Sequence, residues 1–64
     1  MMCDLYVQNE GSIFLLCPQS DVGQQWIDEN IPDDAMSFGG AIVVEHRYIG
    51  AIVDGAQADG LTVE

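Results

Sequence analysis

Eleven carboxylates face a single arginine in a chain of 64 residues, and there is no lysine. Arg47 is the one fixed positive side chain, His46 is the only histidine, and the formal net charge is -10. Self-repulsion on that scale opposes a compact state, so collapse falls to the apolar residues. These make up 48% of the sequence, enough to argue against disorder in spite of the charge. The length sits near the lower limit for an independent core and is read as a single compact acidic domain over residues 1–64.

The same features narrow the possible classes. No apolar run reaches the roughly 18–20 residues that a membrane span needs. The longest runs, Ile13 to Cys17 and Ala41 to Val44, have the length of strands. The N-terminus has no basic segment of signal-peptide type. Cys3 and Cys17 are therefore expected as free thiols in a reducing cytosol rather than as a disulfide. Nucleic acids and anionic membranes carry the wrong sign to be direct ligands.

Cys3 to Gln8 alternates, with Leu5 and Val7 on one face and Asp4, Tyr6 and Gln8 on the other, and predicts a strand. After the turn at Asn9-Glu10-Gly11, Ile13 to Cys17 reads as a continuous apolar, central strand that closes a hairpin. Pro18 ends it. Ser20 or Asp21 then caps a helix, and Asp21 with Gln24 has capping-box spacing. Val22, Trp26 and Ile27 form its apolar stripe; Asn30 fits a left-handed position after its end and Pro32 its stop.

Phe38 to Glu45 predicts a third strand, with Gly39-Gly40 as a bulge or a close backbone approach. A second helix opens at His46 or Arg47 and runs to about Ala58, burying Ile49, Ile52, Val53 and Ala56. Gly50 and Gly55 are unfavourable inside it and are read as points of close helix–sheet contact. Asp59-Gly60 ends the helix, and Leu61 to Val63 is a short last strand. The expected fold is α+β in ββαβαβ order: a two-layer sandwich of a small, mostly antiparallel sheet with both helices on one face.

No enzyme signature is present. Gly39-Gly40 precedes a strand rather than a helix, so it is not a phosphate loop. Cys3, Cys17 and His46 lack zinc-ligand spacing, and Asp33-Asp34 lacks the alternating oxygens of a calcium loop. The expectation is a chain without catalytic residues, cofactor or metal. Trp26 reads as a core anchor, with an interface role as the alternative. Tyr6 and Tyr48 are ambiguous between rim and core.

The acids are what remains. Asp21, Asp28, Glu29, Asp33 and Asp34 fall within fourteen residues with no intervening cation. Asp21 is favourable at a helix N-terminus, whereas Asp28 and Glu29 stand at the C-terminal end, where the dipole disfavours them. A local rule broken without a folding gain points to a functional surface. The candidate partner-binding residues are these five, with Asp54 and Asp59 of the second helix behind them. The plain alternative is a solvated acidic face.

Four stretches carry a resemblance: Trp26-Ile27-Asp28-Glu29-Asn30-Ile31-Pro32, Phe38-Gly39-Gly40, Val44-Glu45-His46-Arg47-Tyr48 and Asp59-Gly60-Leu61. Together they resemble small acidic proteins of phages and mobile elements of Gram-negative bacteria, some of which are anti-CRISPR proteins; size and charge are similar to the type I-C inhibitors. The resemblance implies a protein of the bacterial host cytoplasm. It would block target-DNA binding by a CRISPR surveillance complex at a large Cas effector subunit. No motif of that group assigns roles to residues. The leading expectation is thus an inhibitor that mimics DNA with its carboxylates and fits a basic, nucleic-acid-binding protein surface. The competing expectation is an antitoxin-like or regulatory interaction module that binds through an apolar patch near Trp26 or by strand addition at a sheet edge. Either would be a monomer or a weak homodimer.

Overall fold

The computed structural model describes residues 3–64. Its elements are β1 (Leu5–Asn9), β2 (Ile13–Pro18), α1 (Asp21–Asn30), β3 (Ser37–Phe38), β4 (Ala41–Glu45) and α2 (His46–Ala58). The four strands form one antiparallel sheet in the order β1-β2-β4-β3. This is the expected α+β class, with β2 central as its unbroken apolar run requires.

Register decides which side chains meet the helices. Val7 pairs with Leu16 and Leu16 with Ile42, while Phe14 pairs with Val44 and Leu5 with Pro18. Directly paired residues point to the same side, so these all share one face. The core cluster consists of Leu5, Leu16 and Val44 from that face with Trp26 and Ile27 of α1, Ala56 of α2 and Leu61. Both helices therefore cover the same side of the sheet. Leu5, Leu16 and Ala56 are wholly buried, and Trp26 keeps 8% of its surface exposed.

Several local expectations need correction. The stretch from Phe38 to Glu45 is two strands, because Gly39-Gly40 is a hairpin turn rather than a bulge. Gly39 has φ 58° and Gly40 φ 85°, and they are flanked by the Phe38–Ala41 pair. Positive φ at both central residues is the type I′ pattern, whose twist matches antiparallel strands. The last predicted strand is reduced to a single parallel bridge between Val63 and Leu5. Its backbone still runs along β1, with Asp4 and Leu5 N–H donating to Thr62 O and Val7 N–H to Glu64 O. It thereby covers an edge that would otherwise be open.

In α1, Ser20 is the cap, and its hydroxyl accepts from Gly23 N–H. Gly23 occupies the third helical position, so Asp21 and Gln24 form no capping box. Asn30 is the last helical residue, and no non-glycine residue among those described has positive φ. Its amide instead donates to Trp26 O at 3.0 Å. Val22 is exposed rather than part of the stripe; Gly23 takes the buried position. A methyl group at Gly23 would collide with the backbone carbonyl of Asp4. This glycine lets α1 lie against the start of β1. Gly50 has no such neighbour, and Gly55 lies against the Trp26 ring of the other helix rather than the sheet.

Candidate functional site: an acidic helix face and an open sheet face

On α1, the residues opposite the buried Trp26 and Ile27 are left to solvent, and these include Asp28 and Glu29. Each accepts a hydrogen bond from a glutamine one turn earlier: Gln24 to Asp28 at 3.0 Å, Gln25 to Glu29 at 3.1 Å. Such i, i+4 pairs contribute about 0.2–0.5 kcal/mol each and offset part of the unfavourable dipole at this helix end.

Asp33 and Asp34 follow in an exposed turn closed by Ala35 N–H donating to Pro32 O. One surface hollow brings Gln24, Asp28 and Asp33 together. A second hollow, along the other flank of α1, brings Glu29 together with Asp59, beside Trp26 and Asn30. The result is a carboxylate ridge from Asp33 across Asp28 and Glu29 to Asp59, with no cationic side chain lining either hollow.

The other sequence-predicted acids stand apart. Asp21 is exposed in the first turn of α1, Asp34 lines neither hollow, and Asp54 is exposed on α2. Asp59 has a structural duty as well. Its carboxylate accepts the Trp26 indole N–H at 2.7 Å, joining the end of α2 to α1. A hydrogen bond to a charged acceptor contributes about 1.5–3 kcal/mol, so this acid is held in place for the fold's sake.

Asp4 was given no role by the sequence and proves to be a staple. Its carboxylate accepts from the Ser20 hydroxyl at 2.7 Å and from Thr62 N–H at 3.0 Å. The Thr62 backbone bond, then the Ser20 hydroxyl, hold its pKa below the ordinary 3.8. One side chain thus ties β1, the cap of α1 and the terminal segment. Arg47 lies 3.4 Å from Glu45 and its guanidinium sits over the Tyr48 ring at 5.0 Å. The His46 ring packs 4.7 Å from that of Phe14, and its Nε2 is 2.6 Å from Gly11 O, which pins α2 to the first hairpin.

The second surface is the face of the sheet turned away from the helices. It carries Tyr6, Ile13, Leu15, Cys17, Val43 and Phe38 by the same register rule. Met36 joins them through Val43 N–H donating to Met36 O. Met36 and Phe38 are each 72% exposed. Together with Glu10, Ile13, Leu15 and Val43 they line a groove of about 430 Å³. Trp26 itself is buried, with Val22 exposed beside it, and the larger apolar groove lies on the opposite side of the sheet. The signal was present in the sequence, because Ile13 to Cys17 and Ala41 to Val44 are apolar at both parities while the two helices cover one face.

Cys3 and Cys17 are free and half-buried. Among the described residues no group of histidine, cysteine and carboxylate side chains is placed to hold a metal, and no helix is long and apolar enough to cross a membrane. No protein-family model, curated protein or solved structure matches the chain.

Proposed function

We propose that this chain is a binding protein that occupies a basic, nucleic-acid-binding protein surface and keeps nucleic acid from it. The observation that carries this reading is the carboxylate ridge of Asp33, Asp28, Glu29 and Asp59 around the C-terminal end of α1, with no cationic side chain lining the hollows on its two flanks. Carboxylates fixed on a helix present negative charge in a preset array, as phosphates do along a duplex. Long-range attraction to a Lys- and Arg-lined groove speeds the encounter. On the resemblance in sequence, the target is a CRISPR surveillance complex and the mechanism is DNA mimicry at its large Cas subunit.

The test is competition. Purified type I-C surveillance complex is offered a labelled target duplex in the presence of the protein. The wild-type chain should block duplex binding, at least about tenfold less effectively at high than at low salt, because exposed charge pairs are screened. Replacing Asp28→Asn, Glu29→Gln, Asp33→Asn and Asp34→Asn together takes the net charge from -10 to -6 and should abolish blocking. Full blocking by that variant, with circular dichroism showing it folded, would remove Asp28, Glu29, Asp33 and Asp34 from the mechanism.

A second reading has its own observation. Met36 and Phe38 stand exposed on an apolar sheet face, and contiguous exposed apolar patches mark interaction sites. On that reading the chain is a regulatory interaction module, and the ridge keeps it soluble.

A further inference from the structure

A small sheet with one face under helices has two ways to treat the other face: polar residues against water, or a second layer. This chain has placed apolar residues there, and none of the described elements lies over them. Row by row across the strands, Tyr6 stands opposite Cys17, Gln8 opposite Leu15 and then Val43, and Phe38 opposite Ala41. The exposed aromatics of this face, Tyr6 and Phe38, lie on the two outer strands, with Met36 just ahead of β3.

Charge selects the occupant. Of the eleven acids, Glu10 lines the groove and Glu45 ends the β4 row, where it is paired with Arg47 at 3.4 Å. Glu64 lies at the β1 margin, its backbone bonded to Leu5 and Val7. Asp4 is turned to Ser20 and Thr62, and the remaining seven acids lie on the helices or in the turns that follow them. The open face is thus the least charged surface of a molecule with a net charge of -10. A basic partner is drawn to the ridge instead, and another strongly acidic molecule meets little repulsion at this face alone.

We propose that this face is the interface between two copies of the chain, packed sheet to sheet about a two-fold axis. Stacked sheets lie roughly 10 Å apart, so the two helix layers point outward on opposite sides. Their ridges are then on the order of 30 Å apart, several times the roughly 8 Å screening length at physiological salt. The molecule measures 27 × 22 × 20 Å, which sets the face at on the order of 500 Å² per copy. A pair would bury roughly 1,000 Å², the lower bound of a specific interface. An interface of this size falls at the weak, reversible end, and the pair presents two acidic ridges back to back. That arrangement would bind bivalently any target with two basic sites in reach.

Salt gives this interface a signature opposite to that of the ridge. Screening removes the residual repulsion between copies and strengthens apolar association, so the dimer tightens as salt rises, whereas binding of a basic partner weakens. The experiment is sedimentation equilibrium of the whole chain from about 10 µM to about 500 µM, which brackets a Kd of roughly tens to hundreds of micromolar, at low and high salt. It is run on wild type, on Met36→Ser with Phe38→Ser, and separately on Tyr6→Ser. All three side chains are exposed, so the variants should fold, and circular dichroism checks that they do. The expected result is a mass that rises toward twice the monomer with concentration, more readily at high salt. The Met36 and Phe38 double variant should weaken association by at least about tenfold, because it removes the two most exposed apolar side chains of the face. A chain that stays monomeric throughout, or a dimer indifferent to both variants or loosened by salt, would overturn the proposal and leave the face to a different protein.

Discussion

Leu15 and Leu16 are neighbours on β2, and their surroundings could hardly differ more. Leu16 is wholly buried among Leu5, Trp26, Ile27 and Val44, while Leu15 helps line an open groove beside Met36 and Phe38. The same contrast divides the whole molecule. On one side of the sheet the apolar residues are under helices, and the helices with the turns that follow them carry seven of the eleven carboxylates. On the other side no described element covers the apolar residues, and few charges lie near them. A chain with one cation cannot neutralise its acids by pairing, so it separates them from its remaining apolar surface. The lesson is that net charge describes the molecule poorly. One side gathers carboxylates around α1, and the other exposes apolar side chains.

The sharpest way to break the comparison is to truncate one aromatic from each side. Trp26→Ala removes a buried ring and orphans Asp59, and should cost roughly 3–5 kcal/mol, a large fraction of what so small a domain can hold. Phe38→Ala removes a ring of which 72% is already in water and should stay within about 0.5 kcal/mol of the parent. Urea denaturation of both variants reads the difference. Equal losses would mean that the sheet's outer face is covered in the folded monomer.

A narrower version uses the adjacent leucines. Leu16→Ala should destabilise by about 2–5 kcal/mol, within the range for fully buried leucine, and Leu15→Ala by clearly less. If the dimer forms, the Leu15 penalty should grow with protein concentration and the Leu16 penalty should not. Denaturation midpoints at two concentrations give both numbers.

The smallest effect concerns Asp4, whose carboxylate joins three segments on the helix side. Its folded pKa lies below the ordinary 3.8, chiefly because it accepts the Thr62 N–H. A depressed folded value means the ionised form is the stabilising one. Its contribution is present above the unfolded value and is lost as pH falls through the folded one. The gap in melting temperature between wild type and Asp4→Asn should therefore be full at neutral pH and close as the pH drops below 3.8. Comparing the pair cancels the general relief of self-repulsion that acid brings to every form of the chain. A gap that persists unchanged into acid would show that the staple works without its charge.

Much of this fold was legible along the chain. The hairpin of β1 and β2, the central place of β2, and both helices follow from apolar spacing and from Pro18 and Pro32. What was misread has local causes. Gly39-Gly40 permits either a bulge or a turn, and only the pairing of Phe38 with Ala41 chooses. Val22 has the right spacing for the α1 stripe, but α1 approaches β1 so closely at Asp4 that only Gly23 fits there. The acids of the ridge were named from sequence. Their order on it was not, since Asp59 reaches Glu29 only by the packing of α2's end against Trp26. Asp4 gave no signal, because its partners Ser20 and Thr62 are 16 and 58 residues away.

By itself the sequence determined the fold class, the first hairpin, the two helices and a surface dominated by carboxylates. These depend on periodicity, on turn residues and on composition, all of which act within a few residues. Which face of each strand the helices cover, which acids share a ridge, and that an apolar face stays open were decided by the tertiary structure alone. Ile13 to Cys17 is apolar at both parities, so nothing local distinguishes Leu15 from Leu16. The distinction arises when two helices, enough for one face of a four-stranded sheet, settle on the side where Leu5, Leu16 and Val44 can meet Trp26 and Ala56.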